Sequence, residues 1–212
     1  MGGRSLGNAG RALPASTRGR PGPRGRPAGA ALARRPHAQC REPKEAMATT
    51  IREASTDEIE ALFPLLLLAE PSERALRWSL ANLSDAVYRM DDDGRLVGAA
   101  TMRWEGDPCE IVELAIVQGE QGRGLGKELV AWLVAQAGRR GKEAMTVGTP
   151  NASIDNIAFY QKCGFRMDEV RHDYFWYYRT PRFEHGIRVR DMLVFRYALV
   201  DGGKTHASRR RR

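Results

Sequence analysis

The sequence predicts an α+β domain built on a mixed, mostly antiparallel twisted sheet that is flanked by helices. Two observations lead to this fold class. The first is the order of elements, β-α-α-β-β-β-α-β-α followed by late strands, in which strand-like runs outnumber the helices. The second is that short turns join the three strand-like runs in the middle of the chain, and strands joined in this way pair antiparallel.

The first elements are a strand and two helices. Residues 49–53 have the pattern of a short strand, and Ser55 then caps a helix that carries acidic residues in its first turn. Apolar residues follow at helical spacing, namely Ile59, Leu62, Phe63, Leu66 and Leu67. A second helix begins at residues 71–73 and runs to about residue 82.

Three strands follow as a meander. Residues 85–90 are extended, the DDDG string at residues 91–94 is a hairpin turn signal, and residues 96–104 form the return strand. After a second turn, residues 109–117 are the most strand-like run in the chain. Helical spacing then returns at residues 125–137.

The last part of the chain contains a strand, a helix and three late strands. The strand is residues 144–148, and the helix at residues 153–162 ends at Cys163-Gly164. Late strands are predicted at residues 166–170, 174–178 and 192–200. Alternation along the second of them would separate Tyr174, Trp176 and Tyr178 from Phe175 and Tyr177. An edge strand near residues 192–200 would offer a surface for a homodimer.

The charge is divided unevenly along the 212 residues, whose formal net charge is +8. Residues 1–46 carry ten Lys/Arg and two Asp/Glu, and residues 203–212 carry five and none, so residues 47–202 have a net charge of −5. We therefore predict a domain at residues 47–202 between a disordered basic extension, rich in Gly, Pro and Arg, and a disordered basic tail. We expect translation to start at Met47, and an acidic domain makes nucleic acid an unfavoured partner.

Cysteine and histidine usage predicts a cytoplasmic protein without a metal. Cys40, Cys109 and Cys163 lie far apart, and the four histidines are scattered, so neither a disulfide framework nor a zinc site is indicated. No apolar run approaches the roughly 18 residues that span a bilayer, so we expect no membrane partner.

The most informative segment is a glycine-rich turn at residues 119–126, between a strand and a helix. Gly122, Gly124 and Gly126 leave backbone N–H groups free at the positive end of a helix dipole, which suits a phosphate or pyrophosphate. The P-loop string GxxxxGK[ST] is absent, and the dinucleotide string GxGxxG fails because Lys127 stands at its last position.

Two strings in this part of the chain resemble the signatures of one superfamily. QGRGLG at residues 121–126 resembles the Q/R-x-x-G-x-G/A acyl-CoA signature of the GCN5-related N-acetyltransferase (GNAT) superfamily. NIAFYQKCGF at residues 156–165 resembles the second helix motif of that superfamily and its exit. The resemblance covers residues 49–200, and the predicted order of elements matches that fold.

The resemblance implies an enzyme, an acetyl-CoA-dependent N-acetyltransferase, in which acetyl-CoA is a co-substrate and no metal takes part. The pantetheine arm would lie along the fourth strand as an added strand, the pyrophosphate would bind the turn, and Asn156 would contact the arm. The implied cofactor-binding residues are Leu114, Ala115, Ile116, Val117, Gln121, Gly122, Arg123, Gly124, Leu125, Gly126, Lys127 and Asn156.

The resemblance also implies catalytic roles for three residues. Tyr160 would lie near the thioester sulfur as the acid, and its alternative role is that of an aromatic core residue. Glu110 is the first candidate for the base, because it stands four residues before Leu114 as in histone-type members. Glu113 is its rival, and a water chain in place of a dedicated base is the third alternative. Strict alternation would put the two carboxylates on opposite faces, but a β-bulge expected in this strand would change that.

The acceptor is predicted to be a primary amine of a small molecule that reacts by direct attack in a ternary complex. The charge of −5 on residues 47–202 favours a cationic amine. Two alternatives stay open, a protein acetyltransferase acting on lysine or N-terminal amines and a non-catalytic acyl-CoA sensor. A nucleic-acid-binding role through the basic ends is a third hypothesis.

Overall fold

The computed structural model describes residues 49–199, so the predicted extension (1–46), the predicted tail (203–212) and the outermost residues of the predicted domain lie outside the described residues. In chain order the elements are β1 (Thr49–Glu53), α1 (Thr56–Leu66), α2 (Glu73–Asn82), β2 (Ala86–Asp92), β3 (Arg95–Arg103), β4 (Cys109–Ile116), α3 (Leu125–Arg139), β5 (Ala144–Pro150), α4 (Ile154–Lys162), β6 (Arg166–Arg171), β7 (Phe183–Glu184), β8 (Ile187–Arg188) and β9 (Met192–Ala198).

Seven of these strands form one sheet in the order β1-β2-β3-β4-β5-β9-β6, and β7 pairs only with β8. Within the large sheet, β4 and β5 are the neighbours that run parallel, and the other pairs are antiparallel. The predicted α+β class with a mixed, mostly antiparallel sheet is therefore confirmed.

The helices cover both faces of the sheet. On one face, α1 and α2 pack against Val87, Ala99 and Ala115 through a core cluster that includes Leu62, Leu66 and Leu76. On the other face, α3 and α4 pack against the side chains of alternate strand residues, with Leu129, Leu133, Met145, Val147, Tyr160 and Phe195 among the buried members. The sheet thus has a hydrophobic core on each side, which fixes its strands firmly.

The predicted helix starts are confirmed by their caps. Ser55 and Glu58 form a capping box at α1, in which the Glu58 carboxylate accepts the Ser55 backbone N–H at 3.0 Å. At α2, Ser72 Oγ accepts the backbone N–H of Ala75 at 3.3 Å. These caps fix where the two helices begin and so set the position of the connection between them.

A β-bulge interrupts the pairing of β3 with β4. Thr101 pairs with Glu113 and Met102 pairs with Ile111, so Val112 is an extra residue on β4. Ile111 points into the core beneath α3, whereas Ala115 belongs to the core beneath α1. The extra residue therefore puts Glu110 and Glu113 on the same face, and strict alternation would have separated them.

A gap opens in the sheet where β4 and β5 part. The two strands pair over three residues each, Cys109–Ile111 with Met145–Val147. Beyond these pairs β4 continues to Ile116 and β5 to Pro150 without bonding to each other. Apart from the Ile116 carbonyl, which accepts a hydrogen bond from the Gln121 side chain, the backbone groups of β4 that face β5 over this stretch are free to bind another extended chain.

The predicted strand at residues 174–178 is wrong, because this aromatic segment is a series of turns. Tyr178 N–H donates to the Phe175 carbonyl at 3.3 Å, and Phe175 N–H donates to the Arg190 carbonyl at 3.1 Å. The rings of Phe175 and Tyr178 stack with their centroids 5.6 Å apart, although strand alternation had assigned them to opposite faces. Contacts between distant parts of the chain hold this segment, and they override its β propensity.

The predicted edge strand near residues 192–200 is also wrong. β9 lies between β5 and β6, and β6 is the edge at this end of the sheet. The backbone groups of β9 are hydrogen-bonded to β5 on one side and to β6 on the other, so this strand offers no edge to a second copy of the chain.

Candidate functional site

A single cavity of about 1680 Å³ follows the β4–β5 gap. The glycine-rich turn and the start of α3 line one part of it, which we call the cofactor end. The connection between α1 and α2 and the aromatic segment line another part, which we call the acceptor end. Residues of β4 lie between the two ends and contribute to both, so the cavity joins them.

The glycine-rich turn brings the chain into α3 through left-handed backbone conformations. Gly122 has φ 78° and Gly124, which caps α3, has φ 91°. Gln121 Nε2 donates to the Ile116 carbonyl at 3.1 Å and so ties the turn back to β4. The first-turn N–H groups of α3 have no partners within the helix, and they are the donors that an anion in the cavity would meet.

Gly126 is needed for close packing between α3 and α4. A Cβ at this position would lie 3.2 Å from the Phe159 ring, closer than most side-chain contacts in folded proteins. The glycine therefore allows the N-terminus of α3 to approach α4, and Asn156 on α4 reaches the same cavity.

The cavity wall contains ten of the twelve predicted cofactor residues, namely Leu114, Ala115, Ile116, Gln121, Gly122, Gly124, Leu125, Gly126, Lys127 and Asn156. Val117 and Arg123 do not line it. Val117 N–H donates to the Val97 carbonyl at 2.9 Å, towards the paired side of β4. Arg123 forms ion pairs with Asp92, at 2.7 Å, and with Glu120. These two carboxylates explain why the Arg123 guanidinium is held away from the cavity.

Tyr160 combines a core position with a place on the cavity wall. Its ring packs against Phe159, Phe165 and Phe195, and the residue is buried. Burial raises the pKa of Tyr160 above its usual range, so the phenol keeps its proton at neutral pH. Tyr160 therefore fits both of the roles considered for it, a core aromatic residue and a proton donor.

Glu113 is 6% exposed and lies on the wall of the cavity between its two ends. The hydroxyls of Ser79 and Thr101 each donate a short hydrogen bond to one of its carboxylate oxygens. Thr101 Oγ1 accepts the Glu113 backbone N–H at 3.0 Å, so its own proton points to the carboxylate. Burial raises the pKa of Glu113, and the two hydroxyls oppose that shift by stabilising the charged form.

Glu110 also lines the cavity, on the same side of β4 as Glu113. Its Oε2 accepts a hydrogen bond from Arg103, the residue opposite it on β3. Its Oε1 has no donor among residues 49–199. Glu110 is thus the carboxylate with a free oxygen, whereas both oxygens of Glu113 are occupied.

Glu70 holds the acceptor end together, although no motif in the sequence marks this residue. Its carboxylate accepts hydrogen bonds from Tyr177 Oη at 2.9 Å, from Tyr178 Oη at 3.0 Å and from the Ser72 backbone N–H at 2.8 Å. Burial and the Glu70 charge raise the pKa of Tyr178 to about 12. No ion pair to Glu70 occurs within the described part of the chain.

The sequence carries no local signal for Glu70. The residue follows an apolar helix and precedes a proline, a position at which a solvent-exposed glutamate is equally common. Its partners Tyr177 and Tyr178 lie more than 100 positions away, and the segment that contains them was predicted as a strand. Ser79 and Thr101, which bond Glu113, belong to no motif either.

These features define an acyltransferase of the acyl-CoA type, with a splayed sheet beside a glycine-rich helix start. The model of the acetyltransferase (GNAT) family matches residues 51–165, and the chain belongs to this family. It is therefore an acetyltransferase.

Relatives and solved structures agree with this assignment. The uncharacterized N-acetyltransferase YvbK of Bacillus subtilis is 35% identical over 143 residues, which are 66% of this chain and 89% of that protein. A GNAT family acetyltransferase from Elizabethkingia anophelis, solved with acetyl-CoA bound, has a TM-score of 0.66 and 27% identity over 71% of this chain and 97% of its own. A Bacillus subtilis acetyltransferase in complex with CoA has a TM-score of 0.62 and 34% identity over 72% and 98%.

Residues 49–199 lack two further features. None of the helices there is long and apolar enough to cross a membrane. Within the same range, no group of three or more His, Cys, Asp or Glu side chains is arranged to hold a metal ion.

Proposed function

We propose that the protein transfers the acetyl group of acetyl-CoA to a primary amine of a small cationic molecule, by direct attack in a ternary complex. The observation that carries this proposal is the continuous cavity, which joins a phosphate-compatible helix start to a pair of carboxylates through the β4–β5 gap. Both substrates can therefore meet in one space, as direct transfer requires.

The cofactor end suits acetyl-CoA. The first-turn amides of α3, with Lys127 beside them, would bind the pyrophosphate, and the free backbone groups of β4 would bind the pantetheine arm as a strand. Asn156 lines the same space and would contact the arm. The CoA and acetyl-CoA complexes of the two similar solved structures support this ligand.

The reaction needs a base for the amine and an acid for the thiol. The amine nitrogen attacks the thioester carbonyl, a C–N bond forms, and the C–S bond breaks with its electron pair going to sulfur. We assign the base to Glu110, because its Oε1 is free to take the amine proton. We assign the acid to Tyr160, because it lines the cavity and its phenol carries a proton at neutral pH.

Three carboxylates favour a cationic acceptor. Glu70, Glu110 and Glu113 line the cavity, and within residues 49–199 Glu70 and Glu113 have neutral hydrogen-bond donors but form no ion pair. A protonated amine entering the cavity would supply the missing charge. Arg74, Arg179 and Arg182 also line this end. Arg74 and Arg179 are exposed to solvent, which screens their charge, and the half-buried Arg182 guanidinium lies over the Tyr178 ring at 5.0 Å from its centroid.

The test is a thiol-release assay of acetyl-CoA against a panel of simple amines, amino acids, polyamines and aminoglycosides. We expect a cationic small amine to be turned over, Glu110→Gln to lower kcat about 100-fold and Tyr160→Phe to lower it about 100- to 1000-fold. Glu113→Gln is the matched control and should lower kcat less than about tenfold, because Glu113 has no free oxygen.

The same assay separates the alternatives. If Glu113→Gln abolishes activity and Glu110→Gln does not, the assignment of the base is reversed. Tight CoA binding with no turnover of any amine would support the sensor hypothesis, and turnover of peptide amines alone would support a protein acetyltransferase.

A further inference from the structure

Thr149 carries a buried hydroxyl without a hydrogen-bond partner in the described part of the chain. The residue is 2% exposed, and its Oγ1 makes no hydrogen bond there. Buried hydroxyls in folded proteins nearly always have a partner, because leaving one unsatisfied is destabilising. Thr149 also forms part of the cavity wall.

The position of Thr149 in β5 places it at the narrow end of the gap. Val147 is the last β5 residue that pairs with β4, and Thr149 stands two residues beyond it. Strand alternation puts Thr149 on the same face as Met145 and Val147, which pack in the same core cluster as Tyr160. Thr149 and Tyr160 therefore lie on one side of the sheet, and both residues line the cavity.

The direction of the cofactor follows from the two ends of the gap, and this step rests on the proposed function. The glycine-rich turn follows the C-terminal end of β4, where the gap is wide. A CoA molecule with its phosphates at that turn directs its arm back along β4, so the sulfur at the tip of the arm comes to the narrow end.

We propose that the Thr149 hydroxyl donates a hydrogen bond to the CoA sulfur and stabilises the thiolate as it leaves. In this step the C–S bond breaks and its electron pair goes to sulfur, which takes the proton of Tyr160. Thr149 keeps its own proton and contributes only the hydrogen bond. Tyr160 then recovers a proton from solvent, and the base releases the amine proton to solvent, so the net products are the amide and the CoA thiol.

The experiment compares the binding of CoA and desulfo-CoA, which lacks the sulfur, to wild-type protein and to two variants. Thr149→Val removes the hydroxyl at nearly constant shape, and Thr149→Ser keeps the hydroxyl. By titration calorimetry we expect Thr149→Val to bind CoA about threefold more weakly near pH 7 and about tenfold more weakly near pH 9.5, where the thiolate is populated. Desulfo-CoA binding should not change, and Thr149→Ser should match the wild type.

The stability of the ligand-free variants provides a second measurement. Thr149→Val replaces an unpaired buried hydroxyl by a methyl group, so it should melt at or above the wild-type temperature. A purely structural role of the hydroxyl would lower the melting temperature instead.

Two results would overturn the role of Thr149 while the proposed function stands. One is wild-type affinity of Thr149→Val for CoA at both pH values, and the other is an equal loss for CoA and desulfo-CoA, which places the contact elsewhere on the cofactor. Wild-type protein that binds neither compound overturns the proposed function, and the role of Thr149 with it.

Discussion

The two ends of the cavity are built in different ways. At the cofactor end, the glycine-rich turn and the first turn of α3 are contiguous in sequence, and their backbone groups face the cavity. At the acceptor end, Glu70 meets Tyr177 and Tyr178 across 107 and 108 positions, and side chains provide the contacts. The comparison teaches that backbone geometry built from local sequence defines the cofactor end, whereas tertiary side-chain contacts define the acceptor end.

The difference leads to separable effects of substitution. A change at the cofactor end should weaken CoA binding whatever the amine, because the backbone geometry there serves one ligand. A change at the acceptor end should alter the KM of the amine and leave that of acetyl-CoA near its wild-type value. A change at Glu113, between the two ends, should act mainly through the stability of the protein and its pH dependence.

Among substitutions that separate the two ends, the largest effect is expected for Gly124→Val. Gly124 caps α3 with φ 91°, a conformation that costs a β-branched residue about 1–2 kcal/mol, so the turn must shift and its N–H groups lose their direction. We expect CoA to bind about 10- to 100-fold more weakly by titration calorimetry. Gly119→Ala is the control, since Gly119 has no positive φ and its Cβ would meet nothing within 4 Å. Equal losses in both variants would contradict the prediction.

A smaller effect is expected for Glu70→Gln at the acceptor end. The amide keeps an oxygen for one tyrosine hydroxyl but removes the charge that would attract a cationic amine. We expect the KM of the amine to rise about 5- to 10-fold while the KM of acetyl-CoA changes less than twofold. Tyr177→Phe, which removes one donor to Glu70 and keeps the charge, is the matched variant and should have the weaker effect on KM. A parallel rise of both KM values in Glu70→Gln would mean that the two ends are not independent.

The smallest effect is a pH dependence of stability due to Glu113. Because its pKa is raised in the folded protein, the folded state holds a proton that the unfolded chain releases as pH rises above the ordinary value of 4.5. The contribution of Glu113 to the wild-type free energy of unfolding therefore falls as the pH rises from 4.5 to the raised pKa of Glu113. Glu113→Gln does not titrate, so its free energy of unfolding relative to wild type should increase as the pH rises above about 4.5 towards the raised pKa.

Urea unfolding at several pH values measures this difference. Glu105→Gln, at an exposed position near the end of β3, is the control and should follow the wild-type curve. If the free energies of unfolding of Glu113→Gln and wild type differ by a constant amount across the pH range, the pKa of Glu113 is the same in the folded and unfolded states.

The sequence predicted the elements whose signals are local. The strand at residues 49–53 agrees with β1, the caps at Ser55 and Ser72 start α1 and α2, and the DDDG turn contains Asp93 and Gly94 with positive φ. The glycine-rich turn opens α3 as expected. In each of these cases a short string contains the whole physical cause, which is a cap, a periodicity or a left-handed turn.

The errors have causes that lie far away in sequence. Residues 174–178 have the composition of a strand, yet hydrogen bonds to Glu70 and to the Arg190 carbonyl fold them into turns. The position of β9 between β5 and β6 depends on which strands pair, and periodicity does not reveal that. The shared face of Glu110 and Glu113 required the expected bulge, whose location at Val112 only the pairing with β3 shows.

Because β4 and β5 pair over only a short stretch, the sheet consists of two parts. One part contains β1 to β4 and the other contains β5, β9 and β6. Three residue pairs between β4 and β5 join the two parts. An extended cofactor arm in the gap would continue the hydrogen bonding along the free edge of β4. The proposed ligand would therefore connect the two parts of the sheet, and the protein with ligand bound should resist their separation better than the ligand-free protein.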